Sequence, residues 1–118
     1  MIKNAKLANM FKLSSKVTVY VPATTGINKP IDNTQYVNET ASLLSECFGG
    51  ATATSAVGMW VSPTIGLVKE STTMVFAYCS DEDLQKSINL ILDQCEKLKN
   101  ELTQDAIALE INGEMYFI

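Results

Sequence analysis

The residues best suited to chemistry in this chain are Lys69 and Glu70, neighbours in a predicted hairpin strand, and Trp60 in the predicted partner strand. A carboxylate, an ammonium group and an aromatic ring placed in this way could converge on a small molecule. Tyr20, on another predicted strand, would belong to the same candidate pocket. The alternative is that Lys69 and Glu70 take part in a solvent-facing ion pair across the strands and bind nothing.

The chain contains neither histidine nor arginine. Without histidine, a general base would have to be a carboxylate or a lysine with a shifted pKa. Without arginine, there is no planar fork to grip a phosphate, a carboxylate or a guanine edge. The acidic run Asp81-Glu82-Asp83 lacks the interleaved glycine and the distant glutamate of a calcium loop. The composition therefore predicts no catalytic residue, no cofactor and no metal site.

The three cysteines, Cys47, Cys79 and Cys95, occupy apolar positions of predicted helices and a strand. Their odd number and the lack of a CxxC pair favour small buried side chains in a reducing cytosol over disulfides or zinc ligands. No apolar run approaches the roughly 18 residues that a membrane span requires. These features predict a cytoplasmic protein that binds no membrane.

The net charge of -4 is unevenly distributed along the chain. Residues 1–31 carry five lysines and no acid, whereas residues 70–118 carry ten acids and three lysines. An acidic body repels polyanions, which argues against direct binding of nucleic acid. It suits the basic surface of a host or defence protein, although the charges could equally serve only to solvate the surface.

Two helices and five strands are predicted. Val17, Val19 and Val21 alternate as in a strand, and residues 24–33 form a loop. A first helix begins in a capping-box-like stretch at Asp32 and ends at Gly49-Gly50. Residues 51–62 and 67–79 form a hairpin, with a β-bulge expected at Gly58 and burial of both faces expected toward the end of the second strand.

The second helix begins at its N-cap, Ser80, and its apolar residues recur every three or four positions from Leu84 to Leu102. The acidic residues beside this stripe should face outward and form a partner-binding surface: Asp81, Glu82, Asp83, Asp93, Glu96 and Glu101. Asn112-Gly113 then predicts a two-residue turn between the last two strands. Both faces of this C-terminal hairpin are largely apolar, which predicts a homodimer.

The order of elements predicts an α+β fold, namely a ferredoxin-like βαββαβ unit with an extra C-terminal hairpin strand and two helices on one face of an antiparallel sheet. Residues 1–16 form a basic N-terminal segment, and residues 17–118 form a single domain. Such sheets bind RNA in other proteins through aromatic residues on their central strands. Here the Lys/Arg-Gly-aromatic signature of those proteins is missing.

Four stretches carry a resemblance to a widespread group of small uncharacterised microbial proteins: Phe48-Gly49-Gly50-Ala51-Thr52, Gly58-Met59-Trp60, Gly66-Leu67-Val68-Lys69-Glu70 and Glu110-Ile111-Asn112-Gly113-Glu114-Met115-Tyr116. The likeness covers residues 17–118 and implies no activity. In character, the chain also resembles accessory proteins of plasmids and conjugative elements of Gram-positive bacteria. Small acidic proteins of that kind include anti-CRISPR and other anti-defence inhibitors.

This second resemblance implies a non-enzymatic inhibitor that binds a protein of a bacterial defence system. The alternative is a dimeric α/β-barrel protein that binds or oxidises a small apolar molecule between sheet and helices. A closed apolar pocket containing Tyr20, Trp60 or Glu70 would favour the alternative, and a solid core with a continuous acidic face would favour the inhibitor.

Overall fold

A computed structural model describes residues 2–26 and 29–118. Met1, in the predicted N-terminal segment, and residues 27 and 28, in the predicted loop, lie outside the described residues. The elements in chain order are α1 (Ala5–Ala8), β1 (Ser15–Pro22), β2 (Thr24–Thr25), β3 (Lys29–Pro30), α2 (Thr34–Phe48), β4 (Thr52–Ser62), β5 (Gly66–Cys79), α3 (Asp81–Glu101), β6 (Ala108–Ile111) and β7 (Glu114–Phe117).

Five of the strands form one antiparallel sheet in the order β4-β5-β1-β6-β7. Leaving out β7, this is the strand order of a split βαβ unit, in which each helix joins strands that are not neighbours. The prediction of a ferredoxin-like α+β fold with an added C-terminal strand is confirmed.

The core lies between one face of the sheet and the helices α2 and α3. Val17, Val19 and Val21 are fully buried and point to the helices, as the alternation predicted. The helices contribute Leu44 of α2, four residues of the stripe on α3 and the residue at the C-cap of α3: Leu84, Ile91, Cys95, Leu98 and Leu102. The 3.5-residue spacing of the stripe keeps one side of α3 against the sheet over its whole length.

Both long helices begin and end near the predicted residues. The Ser80 hydroxyl accepts a hydrogen bond from the Asp83 amide at 3.1 Å, which caps α3. At the start of α2, Asp32 accepts from the Thr34 amide at 3.0 Å. Gly49 ends α2 in the left-handed conformation, with φ of 90°.

The C-terminal hairpin also forms as predicted. Asn112 and Gly113 have φ of 53° and 86°, the two positive values that a type I′ turn needs. The resulting register places Ile111 opposite Glu114 and Leu109 opposite Tyr116. The Asn112 carboxamide oxygen accepts from the Lys16 amide at 2.8 Å and so ties the turn to β1.

Three expectations for the other strands are wrong. β4 and β5 pair without interruption, from Thr52 opposite Phe76 to Ser62 opposite Gly66. Gly58 is therefore not in a bulge. The predicted loop contains a short ribbon of β2 and β3. The end of β5 is buried on one face only, because Tyr78 is 53% exposed on the face that no helix covers.

We call this uncovered sheet face the open face; its central residues are Lys16, Thr18, Tyr20, Met74 and Phe76. Beyond the N-terminus of α2, the β4–β5 hairpin extends past the helices, and its residues are largely exposed. None of the helices in the described part of the chain is long and apolar enough to cross a membrane.

Candidate functional site

The open face of the extended β4–β5 hairpin brings Trp60 and Glu70 together. Glu70 lies opposite Gly58, two residues before Trp60, so the two side chains are diagonal neighbours on one face. The indole Nε1 donates to the Glu70 Oε1 at 3.4 Å. Glu70 is half-buried, and Trp60 remains 43% exposed.

Lys69 does not join this pair. Because side chains alternate along a strand, Lys69 points to the opposite face of the hairpin, beside Met59. The predicted convergence of carboxylate, ammonium and aromatic groups is therefore wrong for the ammonium group. Neither Lys69 nor Glu70 forms an ion pair among the described residues, so the alternative of an ion pair on this hairpin is not observed either.

Gly58 leaves open the space beside the Glu70 carboxylate. Its φ is not positive, and an added Cβ would lie 3.7 Å from the Glu70 carbonyl oxygen, an ordinary contact. Backbone geometry therefore does not require glycine here. Gly58 lies opposite Glu70 and lines a cleft together with it.

A wall made of two loops faces Trp60 and Glu70. The Gln104 Nε2 donates to three backbone carbonyls, those of Thr24 at 3.0 Å, Gly26 at 3.3 Å and Leu102 at 3.1 Å. The Gly26 amide also donates to the Leu102 carbonyl at 3.1 Å. These bonds join the segment after β1 to the segment after α3.

The hairpin and this wall enclose a cleft of about 630 Å³, lined by Trp60, Glu70, Gln104, Asp105 and other residues of the two loops. A smaller cleft of about 150 Å³ adjoins it and shares Glu70 and Gln104 with it. Tyr20 lines the smaller cleft. Of the four predicted pocket residues, the structure thus brings together Tyr20, Trp60 and Glu70.

The larger cleft is suited to a cation. Its described lining includes two carboxylates, Glu70 and Asp105, an indole and a carboxamide, and no basic residue. Carboxylates and aromatic faces both attract positive charge. The expected ligand of the alternative prediction, a small apolar molecule in a closed pocket, does not fit this open and acidic cleft.

Sequence reasoning missed Gln104 and Asp105. They lie in a polar stretch between the last helix and β6, and they are brought to the hairpin only because β6 pairs with β1. One sequence feature could have indicated these two residues. The polar run 103–105 comes directly before the apolar residues of β6, where a loop meets the end of the sheet.

No cysteine is among the described residues that line the two clefts. Cys79 and Cys95 are buried, and Cys47 is partly buried. Burial raises the pKa of Cys95 to about 12, with a further contribution from Glu96. Burial also raises the pKa of Cys79, helped by Asp83 and Asp81. Both buried thiols therefore stay protonated at neutral pH.

The acidic residues of α3 lie on the exposed side of the helix, and none of them is among the described residues that line the cleft. Ion pairs engage three of them: Glu82 with Lys86 at 3.2 Å, Glu96 with Lys99 at 3.4 Å, and Glu101 with Lys97 at 3.9 Å. Asp81, Asp83 and Asp93 are also exposed. Within the described residues, no group of three potential ligands is arranged to hold a metal ion.

Comparison with known proteins identifies the fold through solved structures. No protein-family model matches the chain, and no curated protein matches it. A phage SAM lyase in complex with S-methyl-5′-thioadenosine is similar with a TM-score of 0.64 and 19% identity, covering 92% of this chain and 94% of that chain. A phage SAM lyase in the apo state has a TM-score of 0.63 and 18% identity, covering 90% of this chain and 89% of that chain.

At this identity the likeness shows a shared fold along nearly the whole of both chains. It contradicts the prediction of a non-enzymatic inhibitor, because both of these structural neighbours are enzymes. The prediction relied on the acidic character of the chain and on its resemblance to accessory proteins of mobile elements, and neither feature excludes catalysis. The resemblance to small microbial proteins and to accessory proteins of mobile elements stays a prediction.

Proposed function

We propose that the protein is a lyase that binds S-adenosylmethionine in the cleft beside Glu70 and releases S-methyl-5′-thioadenosine. The observation that carries the proposal is the cleft itself, which combines two carboxylates with an indole and has no basic residue in its described lining. The substrate carries a sulfonium and an ammonium group, so its charge matches. The phage SAM lyase fold supports the choice of reaction.

The reaction can proceed without a general acid or base. The carboxylate of the substrate attacks its own γ-carbon, the bond between that carbon and sulfur breaks, and the electron pair stays on sulfur. The products are neutral S-methyl-5′-thioadenosine and homoserine lactone, whose amino group keeps its proton. Every atom is accounted for and no proton moves, which is compatible with a chain that has no histidine.

The roles of the residues follow from where charge changes during this step. The sulfonium charge decreases on the way to the transition state, so a carboxylate held against sulfur would stabilise the substrate more than the transition state. We therefore assign Glu70 to the ammonium group, whose charge is constant, and Trp60 to a wall against which the substrate packs. Because the described lining contains no lysine, the attacking carboxylate is left unpaired and nucleophilic.

The direct test is to incubate the purified protein with S-adenosylmethionine at neutral pH and to quantify S-methyl-5′-thioadenosine by chromatography and mass spectrometry. The expected result is product formation well above the rate in buffer alone. In ¹⁸O-water, the γ-hydroxyl of any homoserine that appears should remain unlabelled, because water does not attack the γ-carbon. A labelled γ-hydroxyl would mean hydrolysis, and no product above the buffer rate would refute the proposal.

Glu70→Gln tests the assignment of the site. Losing one hydrogen bond to a charged group costs about 1.5–3 kcal/mol. This loss corresponds to a decrease in kcat/KM of about 10-fold to 100-fold. The matched control is Lys69→Gln, which changes the adjacent residue on the opposite face and should leave kcat/KM within about two-fold, since it removes no contact with the cleft. Equal effects of the two substitutions would exclude the cleft as the site.

A further inference from the structure

The free edge of β4 is a long strand edge that carries none of the usual protection against pairing with another strand. In the described part of the chain, β4 pairs with β5 on one side and has no partner on the other. Natural proteins block such edges with lysine, proline, bulges or short strands. The eleven residues of β4 include no charged residue and no proline, and its register with β5 is unbroken.

The opposite edge of the sheet differs in these respects. β7 has only four residues and begins with Glu114, so few backbone groups are free to pair. β4 also presents apolar side chains to solvent on the helix side of the hairpin. Val57, Met59 and Val61 are 55%, 59% and 74% exposed. An uncharged edge of this length, with exposed apolar side chains, favours a cover by another strand in solution.

The sequence of β4 indicates that this cover is a second copy of the same strand. The first half, Thr52-Ala53-Thr54-Ser55, has small side chains, and the second half contains Met59, Trp60 and Val61. In an antiparallel pair of two copies centred on Val57, large residues therefore lie opposite small ones. Met59 faces Ser55, Trp60 faces Thr54, and Val61 faces Ala53. No charges are opposed, because the strand has none.

We propose that two copies of the chain associate by antiparallel pairing of β4 with β4 around a two-fold axis at Val57, which forms one continuous ten-stranded sheet. This arrangement is isologous, since each residue contact occurs twice. It differs from the homodimer that the sequence predicts, in which the C-terminal hairpin forms the interface. The proposal does not depend on the proposed lyase activity.

Light scattering after size-exclusion chromatography provides the first test. The parent protein at tens of micromolar should have twice the chain mass of 12.9 kDa. Val57→Lys places two ammonium groups against each other on the axis, and the side chain is exposed in the single chain, so this variant should fold and elute at the monomer mass. The matched control is Phe117→Lys on the other edge strand, at a residue 74% exposed, which should remain dimeric.

Cysteine cross-linking tests the register independently of any loss of folding. In a Cys47→Ser background, Val57→Cys should form an intermolecular disulfide on mild oxidation, because opposed Cα atoms lie about 4.5–5.5 Å apart. Thr52→Cys should not, because the two copies of residue 52 would be separated by about ten residues, or roughly 33 Å. The proposal would be overturned if the parent protein were a monomer or a trimer. It would also be overturned if only Phe117→Lys dissociated the dimer, or if residue 52 formed the cross-link.

Discussion

Thr18 buries a hydroxyl group on the open face of the sheet. It lies at the centre of the open face, opposite Phe76 on one side and Glu110 on the other, and is fully buried. Its hydroxyl is the one buried side-chain oxygen or nitrogen without a hydrogen-bond partner in the described part of the chain. Burying a hydroxyl without a partner costs free energy that a methyl group would not cost.

Thr18→Val should therefore raise the free energy of unfolding, by about 1 kcal/mol, since it replaces an unpaired hydroxyl with a methyl group of similar shape. Urea unfolding of the parent and the variant would measure the difference. Val19→Thr is the converse control, because Val19 is buried on the helix side and should lose stability when it gains a hydroxyl. Destabilisation by Thr18→Val would show that the hydroxyl has a partner in solution.

The residues of the site show which part of it the sequence could predict. Tyr20, Trp60 and Glu70 were found because strand alternation and hairpin pairing are local regularities. Lys69 was wrongly included because adjacent residues of a strand point to opposite faces, a rule that the prediction did not apply to this pair. Gln104 and Asp105 belong to a wall formed by residues about 80 positions apart in sequence, and no local pattern reports such proximity.

At the scale of elements, the wall of the cleft depends on one side chain. Gln104→Leu removes the carboxamide donors that join the two loops while keeping a similar volume. We expect the free energy of unfolding to fall by about 1–2 kcal/mol. Exchange of the Gly26 amide proton should also become faster, because its acceptor is on the released loop. Gln85→Leu, at an exposed position of α3, is the control and should change neither quantity.

The two long helices are joined by an ion pair whose contribution depends on pH. Lys97 of α3 donates to Glu39 of α2 at 2.8 Å. This hydrogen bond is the main reason why the pKa of Glu39 lies below its ordinary value of 4.5 and the pKa of Lys97 lies above its ordinary value of 10.5. Both partners are partly exposed, so the stabilisation is small.

Because the pKa of Glu39 is lowered by folding, its contribution is present above pH 4.5 and disappears as pH falls through the lowered pKa. Lys97→Met should therefore reduce stability slightly at neutral pH, and the difference from the parent should vanish in acid. Thermal unfolding of both proteins across this range would measure it. Lys86→Met, in an exposed pair within α3, is the control. A difference that persists below the lowered pKa would mean that Lys97 acts through packing.

The elements themselves were largely predictable. The α3 stripe, the Ser80 cap, the Gly49 stop and the Asn112-Gly113 turn are each determined by neighbouring residues, and each is found in the structure. The bulge at Gly58 is absent because glycine permits a bulge without requiring one. The exposure of Tyr78 could not be predicted, since an apolar pattern indicates that a face needs a cover and does not identify the cover.

At the scale of the molecule, the protein is elongated, with principal extents of 54, 27 and 21 Å. β1 begins next to the end of β5, whereas the tip of the β4–β5 hairpin lies at β5's other end. The N-terminal segment and the hairpin tip therefore extend from opposite ends of the sheet. The described residues of the segment are exposed up to Ser14, and Phe11 is 88% exposed. The division between a basic segment, 1–16, and a domain, 17–118, stays a prediction.

Deleting residues 1–12 tests this division. The sheet begins at Ser15, and the Lys16 amide is held by Asn112, so both residues must be kept. Because residues 2–12 bury none of their side chains against the sheet, the free energy of unfolding should change by no more than about 0.5 kcal/mol, measured by urea unfolding. Deletion of residues 1–17, which removes buried Ser15 and Val17 from β1, is the contrasting variant and should destabilise the domain strongly. If the shorter deletion lowers stability while lowering the mass in solution, the segment contributes to association between copies. If it lowers stability alone, the segment packs on its own domain, and the boundary must be moved toward the N-terminus.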